Sequence, residues 1–252
     1  MMVIMDFTLK SILLYSLLGA LVVAAVFAIG VIADRQRDRH RAEMAAWASA
    51  HGMQYLAYSD QLAKQWTGQP FVESKSAQAV DILSGSTPGG HPFWSYVYKY
   101  IVGTDDNYYT VQKWILVLQM PRILPWLTVV FETFGAKLAQ AFGGEDIKVE
   151  SDDFNKAYRV QSGSPQFALA VLNPSVIDWL LGHGRTLVPF RIVGQNMIWW
   201  GEGEPDYEQM PGQISALEAL IKHIPSFVWD DYGKAGRDQP HLIEATAGKE
   251  TR

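Results

Sequence analysis

The feature that most constrains this chain is a run of 23 residues without charge, Ser11 to Ala33, close to its N-terminus. A bilayer core about 30 Å thick needs about 20 helical residues to cross it. The run is too long and too uniformly apolar for an ordinary core helix. It also lacks the basic start, short apolar stretch and small-residue cleavage site of a signal peptide. The sequence therefore predicts a retained transmembrane helix over residues 11–33.

The flanking charges predict the orientation of this helix. Lys10 alone precedes the span, whereas four arginines follow it within eight residues: Arg35, Arg37, Arg39 and Arg41. Basic residues are retained on the cytoplasmic side. We expect a single-pass protein of the inner (plasma) membrane, with residues 1–10 outside and the C-terminal domain in the cytoplasm. The arginines either fix topology alone or also contact anionic lipid, at about 1 kcal/mol each.

The helical pattern continues beyond the span. Strong helix formers follow the arginines as far as Gly52, a residue that commonly ends helices. This predicts a charged helical stalk over residues 34–51, followed by a soluble domain over 52–232. The tail, residues 233–252, is polar and aperiodic, and we predict that it is disordered.

The first half of the soluble domain is rich in Val, Ile, Tyr, Trp and Thr, which favour strands. Clusters of turn-forming residues divide it, which is typical of an antiparallel meander. The predicted strands are 79–86, 92–103, 108–119 and 127–132, then, after a helix over 134–142, a pair over 147–150 and 157–162.

The second half alternates helices with one predicted hairpin. Helices are expected over 165–172, 174–181 and 213–224, and the hairpin over 189–203 with its turn at 194–196. The segment Gly182 to Arg185 is interpreted as a helix stop. The fold class is therefore α+β: an N-terminal transmembrane helix, then an antiparallel β-sheet domain with flanking helices.

One stretch carries a family resemblance. Residues 147–204 contain Asp153-Phe154-Asn155-Lys156, then Tyr158 and Val160, an alanine-rich helix ending Leu172-Asn173-Pro174, and a strand region closed by acidic residues. This pattern resembles the C-terminal half of DUF3137, a bacterial family of membrane-associated proteins of unknown function. The remainder is similar to actinobacterial membrane proteins, also of unknown function. The resemblance implies a layout compatible with a pleckstrin-homology-like barrel, and it implies no catalytic residue.

Motifs for chemistry are scarce in the sequence. The six histidines are scattered, no HExxH occurs, and there is no cysteine, so we predict no metal site and no cofactor. No nucleophile elbow, phosphate loop or dinucleotide-binding loop is found. The net charge of -5 argues against nucleic acid as a partner.

Three acidic pairs were considered as candidate sites. Asp105-Asp106 lies in a predicted turn and Asp152-Asp153 at a predicted helix cap, so both are interpreted as structural. Asp230-Asp231 either clamps the last helix or offers an acidic surface to a partner.

Aromatic and apolar residues give the candidate contact sites with membrane or partner. Trp199 and Trp200 are adjacent in a strand and must point to opposite faces, so either both faces are covered or one indole is exposed. The segment 120–127 contains two prolines and is predicted to be an apolar loop. It either caps the core or places Ile123, Leu124 and Trp126 in the membrane interface, with Arg122 at phosphate.

Two functions remain open from the sequence. The first is a non-enzymatic binding or scaffold protein, or an accessory subunit of a membrane complex, at the cytoplasmic face. Its partners would be the lipid bilayer and a protein, or a second copy, packed on small residues of the span: Gly19, Ala20, Ala24, Ala25, Ala28 and Gly30. The alternative is a membrane-tethered hydrolase of lipid or envelope precursors that uses Asp153, His91 and Asp231.

Overall fold

The computed structural model describes residues 2–104, 107–134 and 146–234. The chain divides into two compact units, Met1–Trp47 and Ala48–Arg252. A single helix, α1, runs over Met2–Ala50 and so begins well before the predicted span. From Leu17 onward it contains an 18-residue window of mean hydropathy 2.5 in which no residue is buried. By length and composition, α1 is able to cross a bilayer.

The second unit is built on one six-stranded antiparallel sheet, which confirms the predicted fold class. Its strands are β1 (Gln54–Ser59), β2 (Gln78–Ser86), β3 (Pro92–Thr104), β4 (Asn107–Phe131), β5 (Tyr158–Ser162) and β6 (Phe190–Glu202). Strands β1 to β5 neighbour one another in chain order, and β6 pairs with β4. The helices are α2 (Asp60–Ala63), α3 (Asp152–Ala157), α4 (Pro165–Val171), α5 (Pro174–Leu187), α6 (Met210–His223) and α7 (Ser226–Asp231).

Strand β4 organises the sheet because it pairs with three other strands. Its first half lies between β3 and β6, and its second half lies between β5 and β6. Between the two halves, β4 advances five residues from Gln119 to Leu124 while β6 advances two, from Asn196 to Gly194. The three extra residues form a bulge, which bends the strand.

The bulge shows that two of the predictions are wrong. Residues 120–127 belong to β4 and are not a loop, and the predicted hairpin over 189–203 is one continuous strand over residues 190–202. Both errors have one cause: Gly194, at φ +58°, does not reverse the chain, because β6 continues past the bulge to pair with both halves of β4. A local turn signal is overridden here by long-range pairing.

The predicted strand pair over 147–150 and 157–162 is found in part, and the predicted helix stop at residue 182 is wrong. The second strand is present as β5, and the Ile147 amide donates to the Val160 carbonyl at 2.9 Å, but residues 147–150 are not a strand, and Ser151 caps helix α3 by accepting from the Phe154 amide. Helix α5 continues through Gly182 and Gly184 to Leu187. The predicted helix over 134–142, the turn at Asp105-Asp106 and most of the predicted disordered tail lie outside the described residues.

An apolar cluster that includes Trp66, Phe71 and Tyr98 lies on one face of the sheet. There Trp66 stacks on Phe71 with ring centroids 5.5 Å apart, and Phe71 meets Tyr98 edge-on at 5.2 Å. The Tyr98 hydroxyl donates to the Val72 carbonyl at 3.1 Å and so fixes the loop that follows α2. On the opposite face, Trp114 and Trp199 contact edge to face at 5.1 Å. The sheet is therefore covered on both faces.

A cleft at the end of strand β6

A cleft of about 550 Å³ lies beside the last four residues of β6 and beside Arg185, Val188 and Pro189, which precede that strand. This volume falls within the usual range for small-molecule sites. Its lining comes from β3, both halves of β4, β6 and the end of α5: Gln69, Tyr100, Val111, Lys113, Val130, Phe131, Arg185, Val188, Pro189, Trp199, Trp200, Gly201 and Glu202. The bend in β4 explains the site, because it brings residues 111–113 and 130–131 to the same cavity.

The walls of the cleft are mostly apolar and aromatic. Its lining includes four aromatic residues, Trp199, Trp200, Tyr100 and Phe131, together with three valines and a proline. Burial, and then the carboxylate of Glu202, raises the pKa of Tyr100, so its phenol is neutral at physiological pH. Such walls favour a ligand with an apolar body.

The charged groups of the cleft carry an excess of positive charge. Lys113 pairs with Glu202 at 3.1 Å, and its side chain is 16% exposed while that of Glu202 is 66% exposed. Arg185 is exposed and has no carboxylate partner within residues 2–104, 107–134 and 146–234. Two cations therefore face one carboxylate, in a protein whose net charge is -5.

Contacts at both ends of helix α5 fix its position, and they therefore fix the backbone of Arg185. Asn173 caps its start, accepting from the amides of Ser175 and Val176 at 2.9 and 3.2 Å. Near its end, a Cβ added at Gly184 would lie 1.8 Å from the Tyr158 hydroxyl, so only glycine permits this close approach. Burial raises the pKa of Tyr158, and the neighbouring Arg185 opposes that rise.

A second cavity of about 590 Å³ shares Arg185 and Trp199 with the cleft. Its other lining residues are Trp114, Thr186, Glu208, Gln209, Gly212 and Gln213. Gln213 donates to the Thr186 carbonyl at 2.6 Å and ties α6 to the end of α5. Trp199 is 9% exposed, and its Nε1–H is buried with no acceptor among the described residues. An unmatched buried donor costs about 1–3 kcal/mol.

The four arginines after the span are all exposed on α1. Arg37 pairs with Asp34, Arg39 with Glu43 at 2.7 Å, and Arg41 with Asp38 at 3.9 Å. Arg35 is the member of this set for which no such pair is found among the described residues. Their contact with lipid or a partner stays a prediction.

The other predicted contact residues divide by burial. Arg122 is exposed, Ile123 and Trp126 are half-buried, and Leu124 is 3% exposed. The backbone of Ile123 pairs with that of Lys234 through two hydrogen bonds of 3.0 Å, which holds the bulge in place. The structure therefore offers no Leu124 surface to a membrane.

Trp199 and Trp200 are 9% and 5% exposed, so the alternative with both faces covered is the one that the structure has. They are not an exposed contact surface, because elements pack on both sides of β6. Instead, both residues are among those that line the cleft.

The residues of the hydrolase alternative lie in separate places. The His91 ring lies 3.0 Å from the Gln119 carbonyl, Asp153 pairs with Lys156 at 3.5 Å, and Asp231 ends α7. None of the three lines either cavity. Among the described residues, no three His, Cys, Asp or Glu side chains are grouped to hold a metal ion.

Sequence reasoning singled out the two indoles but missed the charged members of the cleft. Arg185 lies in the segment that was interpreted as a helix stop. Lys113 and Glu202 are 89 residues apart, so the sequence does not indicate that they pair. One signal in the sequence pointed to Arg185. Gly184 lies directly before it, inside a helix in which no other residue indicates an end at this point.

The fold and the cleft define the class of protein: an α+β domain with an aromatic, cationic cavity, attached to an apolar helix long enough to cross a bilayer. Neither a known protein family nor a curated protein matches the chain. The resemblance to DUF3137 and the pleckstrin-homology-like analogy stay predictions.

Among solved structures, the chain is similar to the mycobacterial trehalose monomycolate transport factor A, TtfA, with a TM-score of 0.49 and 11% identity. The similarity covers 72% of this chain and 94% of the other. At that TM-score and identity, the likeness supports no conclusion about this chain's activity.

Proposed function

We propose that this chain is a single-pass membrane protein whose C-terminal domain lies in the cytoplasm and acts as a non-enzymatic binding or accessory subunit of a membrane complex. The observation that carries the proposal is the apolar part of α1. Its large apolar side chains are exposed: Leu17 is 61% exposed, Val23 is 69% exposed and Phe27 is 73% exposed. In water this surface is unfavourable, and lipid or another apolar helix would cover it.

The charges on α1 support the cytoplasmic orientation. Four arginines follow the apolar segment and a single lysine precedes it. Basic residues close to the ends of a span set its orientation, while acidic ones contribute little. The intrahelical pairs of three of the arginines therefore do not weaken this argument.

Two open glycines support a protein partner within the bilayer. A Cβ added at Gly19 or at Gly30 would meet no atom within 4 Å. Glycines on a membrane helix allow another helix to approach closely, and van der Waals packing is then the main source of affinity.

The test is a pull-down of the tagged full-length protein in gentle detergent, followed by mass spectrometry. A variant with residues 11–33 replaced by an unrelated span, and the double variant Gly19→Leu and Gly30→Leu, are compared with the wild type. The double variant keeps the apolar length and removes only the small surface. We expect a stoichiometric partner with the wild type and its loss from both variants.

Recovery of the protein alone in all three samples would refute the accessory role. Retention of the same partner by both variants would show that the partner binds elsewhere and would refute docking through α1. Alkaline extraction of membranes is the control, because all three proteins are expected to remain in the membrane fraction.

A further inference from the structure

We propose that the cleft at the end of β6 binds a single-chain acidic amphiphile, an aliphatic chain that carries one carboxylate or phosphate. This goes beyond the role as an accessory subunit, since it assigns a ligand to the C-terminal domain itself. The proposal rests on three properties of the cavity: its walls, its charge and an unmatched donor.

The walls select the body of the ligand. Val111, Val130 and Val188 with Pro189 are aliphatic, and the aromatic residues Tyr100, Phe131, Trp199 and Trp200 line the cleft beside them. An extended alkyl chain gains free energy from contact with both kinds of wall. The volume of about 550 Å³ is sufficient for one alkyl chain of the size of a small-molecule ligand.

The charge selects the head group. Lys113 is already paired with Glu202, whereas Arg185 has no carboxylate partner among the described residues. A guanidinium binds carboxylate or phosphate through paired hydrogen bonds. An anionic head group therefore pairs with Arg185, whereas a cationic head group is repelled by both Arg185 and Lys113.

Trp199 adds a second reason for an oxygen-bearing head group. Trp199 lines both cavities together with Arg185, and its buried Nε1–H has no acceptor among the described residues. Side-chain shifts commonly accompany ligand binding. A ligand oxygen that reaches this N–H after such a shift removes the cost of the unmatched donor.

The test uses photolabelling of the full-length protein in lipid nanodiscs. The probe is a palmitate analogue that carries a diazirine and an alkyne, and the labelled peptides are mapped by mass spectrometry. We expect saturable labelling of peptides that contain Val111, Val130 or Val188. Oleate should displace this labelling, and oleyl alcohol, which has the same chain and no charge, should not.

Two charge variants of opposite sign sharpen the test. Arg185→Gln is expected to raise the half-saturating probe concentration about tenfold, because a charge-assisted hydrogen bond is lost. Glu202→Gln is expected to lower it, because the competing carboxylate is gone. Lys156→Gln, on an exposed residue that does not line the cleft, is the matched control and should change nothing.

The variant Val111→Trp checks that the label enters the cavity, since the larger side chain fills it. If it fails to fold, as judged by circular dichroism, Val188→Phe takes its place. Labelling confined to α1, or equal displacement by oleate and oleyl alcohol, would overturn the proposal. A lysophosphatidic acid competitor distinguishes the head groups: stronger competition than oleate identifies phosphate, and weaker competition identifies carboxylate.

Discussion

Two arginines lie close together in the chain, one in the last turn of α5 and one at the start of β6, and the fold uses them differently. At the start of β6, Arg191 is 8% exposed and donates to the carbonyls of Thr67 and Gln69 at 2.6 and 3.1 Å. Arg185, six residues earlier in the last turn of α5, is exposed, lines the cleft and has no carboxylate partner among the described residues. The buried arginine holds two backbone carbonyls and stabilises the fold, whereas the exposed arginine is available to bind a ligand.

The largest expected effect separates the two arginines. Arg191→Leu should lower the free energy of unfolding by about 3 kcal/mol, because two carbonyls lose a charged donor. Arg185→Leu should change it by less than about 0.5 kcal/mol, as is usual at exposed sites. Urea denaturation of the detergent-solubilised full chain, followed by tryptophan fluorescence, measures both. Equal losses would contradict the division into a structural and a binding arginine.

A second test concerns the helix that presents Arg185. Gly184→Ala should cost about 2 kcal/mol, because its Cβ would overlap the Tyr158 hydroxyl. Gly182→Ala, two residues earlier and with no atom within 4 Å of a Cβ, should instead stabilise the protein by about 0.5–1 kcal/mol. The same urea measurement applies. In a Tyr158→Phe background the cost at Gly184 should shrink, and an unchanged cost would show that the contact is not its cause.

The smallest effect concerns pH and the loop beyond β6. Burial, and then the carboxylates of Asp81 and Glu204, raises the pKa of Tyr207 to about 12. Between pH 10 and 12 the unfolded chain loses this proton while the folded chain keeps it, so stability falls as pH rises. Tyr207→Phe should make that fall shallower, which unfolding curves at pH 9, 10, 11 and 12 would show.

Arg191 acts with the opposite sign in the same range. Burial lowers its pKa to about 10, so the folded chain loses that proton first and stability rises above pH 10. The comparison of Tyr207→Phe with the wild type keeps this contribution constant. Parallel curves for the two proteins would contradict the assignment to Tyr207.

The sequence predicts those helices and strands that local residue patterns determine. The apolar helix, the meander from β2 to the first half of β4, and helices α4 and α6 follow from hydrophobic periodicity, caps and prolines. The errors at Gly194 and Gly184 share a physical cause. In each, a glycine that commonly ends an element serves a tertiary contact, with the bulged β4 in one case and Tyr158 in the other.

The candidate site was harder to predict than the fold. Its lining residues run from Gln69 to Glu202, and the bend in β4 is what brings them together. No short motif encodes such a cavity. Trp199 and Trp200 were noticeable from composition, but their burial depends on helices and loops that pack on each face.

The pairing of β4 with β6 also has a consequence for synthesis of the chain. The partner of Lys113 is Glu202, 89 residues later. At 5–20 residues per second, one edge of β4 waits roughly 4–18 s on the ribosome for its partner. An open strand edge invites pairing between nascent chains. Pro121 and Pro125, one at each of the two register shifts of β4, lack amide hydrogens and so cannot donate to such pairing during that interval.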